Sequence, residues 1–114
     1  MNLDELAKKI SSVSSNKVVQ DLSQILFVWK ANDDTVEELK DSVERYLGNT
    51  WIASNEEYKK IYSMWSSFRD EFIAGIGGMT MNERLYYFGL LKRFDACTDE
   101  DSRLSIYMKL HANP

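Results

Sequence analysis

Apolar residues recur at spacings of three and four along almost the whole chain, and the spacings group into six runs. Leu3, Leu6, Ala7, Ile10 and Val13 share the first helical face, with Asn2 and Glu5 placed as a capping box. The polar stretch from Ser11 to Asn16 breaks the pattern, and Ser14 or Ser15 is positioned to cap the next helix. That helix carries Val18, Leu22, Ile25, Leu26 and Trp29 on one side. Asp34 and Glu37 open a third helix with Val36, Leu39, Val43 and Leu47 inward, and Gly48 falls where a C′ residue ends it. Residues 49–53 form a connector in which Trp51 is expected to plug the core. Ser54 and Glu57 start a fourth helix with Tyr58, Ile61, Tyr62, Trp65, Phe68 and Phe72 on its apolar side.

Gly75, Gly77 and Gly78 end that helix, on the expectation that glycine is needed for positive φ. Thr80 and Glu83 begin a fifth. On a continuous helix, Tyr86, Tyr87, Phe88, Leu90, Leu91 and Phe94 would cover an arc of roughly 200°. Leu85 to Phe94 therefore reads as a hydrophobic spine. Gly89 within it marks either a close approach by another helix or a tolerated glycine on a solvated strip. Thr98 and Asp101 start a sixth helix bearing Leu104, Tyr107 and Leu110. No stretch alternates as a half-buried strand would. The pattern predicts an all-α fold: a compact bundle of about six helices in a single domain spanning 1–114.

Composition agrees with this. A chain of 114 residues, 44% hydrophobic and 28% charged, is long enough to bury one core. No apolar run reaches the roughly 18 residues of a membrane helix. Asp4 and Glu5 stand where a signal peptide would carry basic residues, so the expected location is the cytoplasm. A net charge of −4 argues against nucleic-acid and anionic-membrane partners.

Candidate chemistry is sparse. One Cys (Cys97) and one His (His111) cannot assemble a zinc set. The acidic run from Asp95 to Asp101 fails as a calcium loop: Cys97 takes a ligand position, Glu100 replaces the turn glycine and Ile106 replaces the bidentate Glu. The glycines at 75–78 lack the spacing and the Gly-Lys-Ser/Thr ending of a phosphate loop. The expectation is a protein without catalytic residues, metal or cofactor.

Charge placement points instead to a protein partner. Asp34, Glu37, Glu38, Asp41 and Glu44 lie on one side of the third helix, opposite its apolar residues. Such a stripe can steer and dock a basic partner. Trp51, Tyr62, Arg69 and Tyr86 sit at the margins of their apolar arcs, and Trp, Tyr and Arg dominate binding hot spots. The predicted partner-binding set is Asp34, Glu37, Glu38, Asp41, Glu44, Trp51, Tyr62 and Arg69.

Met79-Thr-Met-Asn-Glu-Arg-Leu85, followed by Gly89-Leu90 and Phe94-Asp95, resembles the ending of small bacterial proteins with a Thr-x-Asn-Glu-Arg-Leu helix start. The overall build resembles the small acidic helical immunity proteins of contact-dependent growth inhibition and related toxin systems. That resemblance implies an inhibitor that neutralises a toxin domain, often a nuclease, by one-to-one binding. A second reading is a helical adaptor or regulatory module, homodimeric in one form and without catalytic activity.

Overall fold

The computed structural model describes residues 1–52 and 54–114, so Ala53, at the end of the expected connector, lies outside the described residues. Seven α-helices occur among the described residues, and no strand: α1 Leu3–Val13, α2 Lys17–Ala31, α3 Val36–Asn49, α4 Asn55–Phe68, α5 Met81–Tyr87, α6 Leu91–Asp95 and α7 Glu100–Lys109. The all-α expectation holds. Phe68 leads directly into a π-helical turn, Arg69–Ile73, and a 3-10 turn follows at Ile76–Gly78.

Side chains fix most helix starts by accepting from otherwise unpaired first-turn N–H groups. Asn2, Ser54 and Thr80 cap α1, α4 and α5 where expected, and Thr80 with Glu83 forms a reciprocal capping box. Three other starts differ from the sequence reading by a residue or two. Asn16 caps α2 in place of Ser14 or Ser15, while the Ser14 hydroxyl accepts from the Asn16 N–H. Thr35 with Glu38 boxes α3, in place of Asp34 with Glu37. Asp99 caps α7, in place of Thr98, and accepts from Ser102 N at 2.7 Å. In each case a second cap-forming residue stood beside the expected one, and it is that residue whose side chain accepts from the first turn.

α1 and α2 form the most extensive helix pair, pinned by the buried Ser23 hydroxyl donating to Ala7 O. α1 also packs on α4, and α2 on α3. One apolar core runs through the molecule, with Leu3, Leu6, Ile10, Leu22, Leu26, Leu39, Ile61, Trp65, Phe88, Leu90 and Ile106 fully buried. Phe88 is its aromatic hub, 5.7 Å from the Trp29 ring and 5.6 Å from that of Phe68.

The spine is not one helix. α5 stops at Tyr87, and Gly89 takes φ 69°. Leu90 N donates to Leu85 O and Gly89 N to Tyr86 O, the bond pair of a Schellman turn. Leu85, Phe88 and Leu90 still enter the core, whereas Tyr86 and Leu91 are left exposed. A Cβ on Gly89 would stand 2.9 Å from Asp4 Oδ2 and 3.0 Å from Lys30 Cε. Close approach is therefore realised here, against the Asp4–Lys30 ion pair.

Other expectations fail for local reasons. Gly48 lies inside α3, which continues to Asn49. Positive φ among the described residues is confined to Gly89 and His111, so the glycines at 75–78 are not there for it. Gly75 provides space instead, since a Cβ would sit 2.5 Å from Glu71 O. Trp51 does not plug the core; it is 81% exposed, and Ile52 packs there in its place. α7 buries Ile106, Lys109 and Leu110, leaving Leu104 and Tyr107 half-covered.

Two helix C-termini are closed by cations from elsewhere in the chain. Arg84, from α5, donates to Leu110 O and His111 O at the end of α7 and to Met79 O. Lys109 and Arg93 close the end of α2, where residues 30–34 turn toward α3. Positive charge belongs at a helix C-terminus, where unpaired carbonyls gather.

Candidate partner-binding surface

Lys109 is the least expected polar group in the molecule, with 0% of it exposed. Its Nζ donates to Trp29 O at 2.5 Å, to Asn32 O and Asp34 O at 2.8 Å, and more distantly to Asn32 Oδ1. Burial pushes its pKa down to about 8, with the nearby Arg93 adding to the effect; Asp34, Asp33 and Glu38 oppose it. Arg93 reinforces the same turn by donating to Lys30 O, Asn32 O and Asp33 Oδ1. This latch sets where α3 starts relative to α2, and so the shape of the surface between them.

On that surface α2 and α3 enclose a groove of about 490 Å³, lined by Ile25, Val28, Trp29 and Leu39 together with Asp21, Gln24, Asn32, Asp34 and Ser42. Its floor is largely apolar, and it contains no Lys or Arg. Val28 is 52% exposed and its neighbour Phe27 is exposed as well. The sequence carried a trace of this: five consecutive apolar residues, Ile25 to Trp29, cannot all face one core.

The eight predicted partner-binding residues do not form a single patch. Glu44 and Arg69 face each other, Nη1 to Oε1 at 2.7 Å, and join α3 to the π-helical turn. Asp70, Tyr62 and Glu44, in that order, hold the Arg69 pKa above its ordinary value. Tyr62 also stacks on Tyr58. This cluster ties two elements together, and Arg69 already has two carboxylate partners. Glu38 is engaged in the α3 capping box. Asp34 lines one end of the groove. Glu37 is exposed beside Lys40 at 3.7 Å, and Asp41 is exposed without an ion pair among the described residues. Trp51 lies beyond the other end of α3, some 25 Å along the chain axis from Asp34 at about 1.5 Å per residue.

Other ionisable groups serve local structure. Backbone and hydroxyl donors in the α5 capping box hold the Glu83 pKa down, and Ser102 does the same for Asp99. Burial raises the Tyr46 pKa, and its hydroxyl donates to Val18 O. No group of three or more His, Cys, Asp or Glu side chains gathers with metal-site geometry among the described residues. No helix among the described residues is long and apolar enough to cross a membrane.

The chain matches no family model, and no curated protein or solved structure is significantly similar to it.

Proposed function

We propose that the protein is an immunity-type inhibitor, binding a basic bacterial toxin domain one-to-one and blocking it by occupation. A nuclease is the favoured target class, because a groove built for phosphates presents the cations that an acidic helix complements. The observation that carries this reading is α3 itself, which exposes Glu37, Glu38 and Asp41, while its Leu39 and Ser42 line the groove with Asp34 and Asp21. Carboxylates next to apolar surface provide steering and contact area together. The net charge of −4 and the resemblance of the Met79–Leu85 segment support the same reading.

Co-expression with the product of the adjacent upstream gene tests it. The expected result is rescue of growth and a one-to-one complex. Glu37→Lys with Asp41→Lys should slow association and flatten its salt dependence without changing the fold. Absence of both binding and rescue overturns the proposal, and an unchanged on-rate in the double variant removes α3 from the interface. The adaptor reading rests on the exposed Phe27 and Val28. A stable homodimer, visible by sedimentation at micromolar concentration, would favour its homodimeric form.

A further inference from the structure

We infer that the α2–α3 groove is the seat of an amphipathic, basic helix supplied by a partner protein. This rests on the chain being a protein-binding module, and not on what the partner does.

The floor determines one half of the guest's chemistry. Val28 and the half-buried Ile25 offer apolar contact and no charge, above the nearly covered Trp29 and Leu39. The rim determines the other half: Asp21 stands at one end and Asp34 at the other, with no cation among the lining residues. Lys17 holds Asp21 at 2.8 Å, but its side chain is 85% exposed and free to swing into solvent. Lys109, beneath the opposite end, directs its protons to backbone carbonyls and the Asn32 amide oxygen, and the Asp34 carboxylate accepts only a long 3.3 Å bond from the Asn32 amide nitrogen. Asp21 to Asn32 spans three turns of α2, about 16 Å. A guest helix of about ten residues matches that length, with apolar side chains at three- and four-residue spacing and Lys or Arg toward its ends.

Charge also rejects a second copy of this chain. Asp21 and Asp34 line the groove, and α3 exposes Glu37, Glu38 and Asp41 elsewhere on its surface. Two copies, each at −4, would bring carboxylate against carboxylate.

The test is a titration of isotope-labelled protein with two synthetic helical peptides, one built from Lys and Leu and one from Glu and Leu in the same pattern. The Lys/Leu peptide is expected to shift the Gln24, Val28 and Ser42 amides and the Trp29 indole, and the Glu/Leu peptide to leave them in place. Val28→Glu and, separately, Gln24→Arg should each weaken the Lys/Leu peptide about tenfold or more. Both positions are exposed on α2, so the fold is retained and is checked by circular dichroism. Equal binding of both peptides, shifts centred on Glu37 and Asp41, or peptide-free shifts that grow with protein concentration would each overturn the inference. Peptide binding without toxin binding would count against the immunity reading alone. Toxin protection that survives Val28→Glu would instead remove the groove from that interface.

Discussion

Lys109 Nζ lies 3.8 Å from the centre of the Trp29 ring and donates to the backbone carbonyl of the same residue. One residue of α2 thus supplies both a π face and a hydrogen-bond acceptor to a buried ammonium from α7. The arrangement joins positions 80 residues apart in sequence, and it shapes the end of the groove proposed as a docking seat.

Replacing this lysine tests the latch. Lys109→Met fills similar volume but removes the donor from Asp34 O and weakens the pairing of Trp29 O and Asn32 O. A loss of about 3 kcal/mol is expected from the carbonyls left short of donors and the missing cation–π contact. Urea unfolding followed by far-UV circular dichroism reads it directly. A change below about 0.5 kcal/mol would mean that the latch contributes little.

The same group sets a pH dependence. The folded pKa of Lys109 is about 8, below its ordinary 10.5. Between those values the unfolded chain holds the extra proton, so stability rises with pH across that window. The destabilising contribution is fully present below pH 8 and is relieved as the pH approaches 10.5. Wild type should gain about 1 to 3 kcal/mol across the window relative to Lys109→Met, at about 1.4 kcal/mol per pKa unit. Parallel urea titrations of the two proteins through this range check it.

Two glycines should respond in opposite directions to alanine. Gly89→Ala forces a side chain into the left-handed region and crowds the Asp4–Lys30 pair, at an expected cost of about 1 to 2 kcal/mol. The side-chain tips it meets can shift, which keeps the cost moderate. Gly48→Ala, inside α3 with open space around it, should gain about 0.5 to 1 kcal/mol. Thermal unfolding of the pair provides the comparison, with the two midpoints moving apart.

The end of α7 holds a residue in an unfavourable conformation. His111 has φ 53°, while Ala112 N donates to Tyr107 O and His111 N to Met108 O. This is the same turn that Gly89 makes at the end of α5, here without a glycine. His111→Gly or His111→Asn should stabilise the protein by about 0.5 to 1 kcal/mol. A destabilised Gly variant would show that the imidazole makes a compensating contact.

Much of the helical plan was legible because helix periodicity and capping are local. Leu3, Leu6 and Ile10, then Val36, Leu39 and Val43, and Ile61, Trp65 and Phe68 all reached the core faces that their spacing implied. The candidate surface was legible only in part. The acids of α3 were visible as a run, but the partner of each acid was not. Glu44 pairs with a residue 25 positions away, and Glu38 turns back to cap its own helix. Arg69, read as a free hot-spot candidate, is occupied by Glu44 and Asp70 for the same reason.

By itself, then, the sequence determined the helix faces, the caps at Asn2, Ser54 and Thr80 and the acidity of α3. All of these depend on residues within about one helical turn of each other. Only the tertiary structure decided that the 85–94 segment breaks at Gly89, that Lys109 enters the interior, and that α2 and α3 stand apart enough to leave Val28 over an open groove. Those outcomes depend on which helix ends meet. A lysine at the edge of an apolar stripe is stable inside only when the carbonyls of another helix terminus arrive to accept its protons.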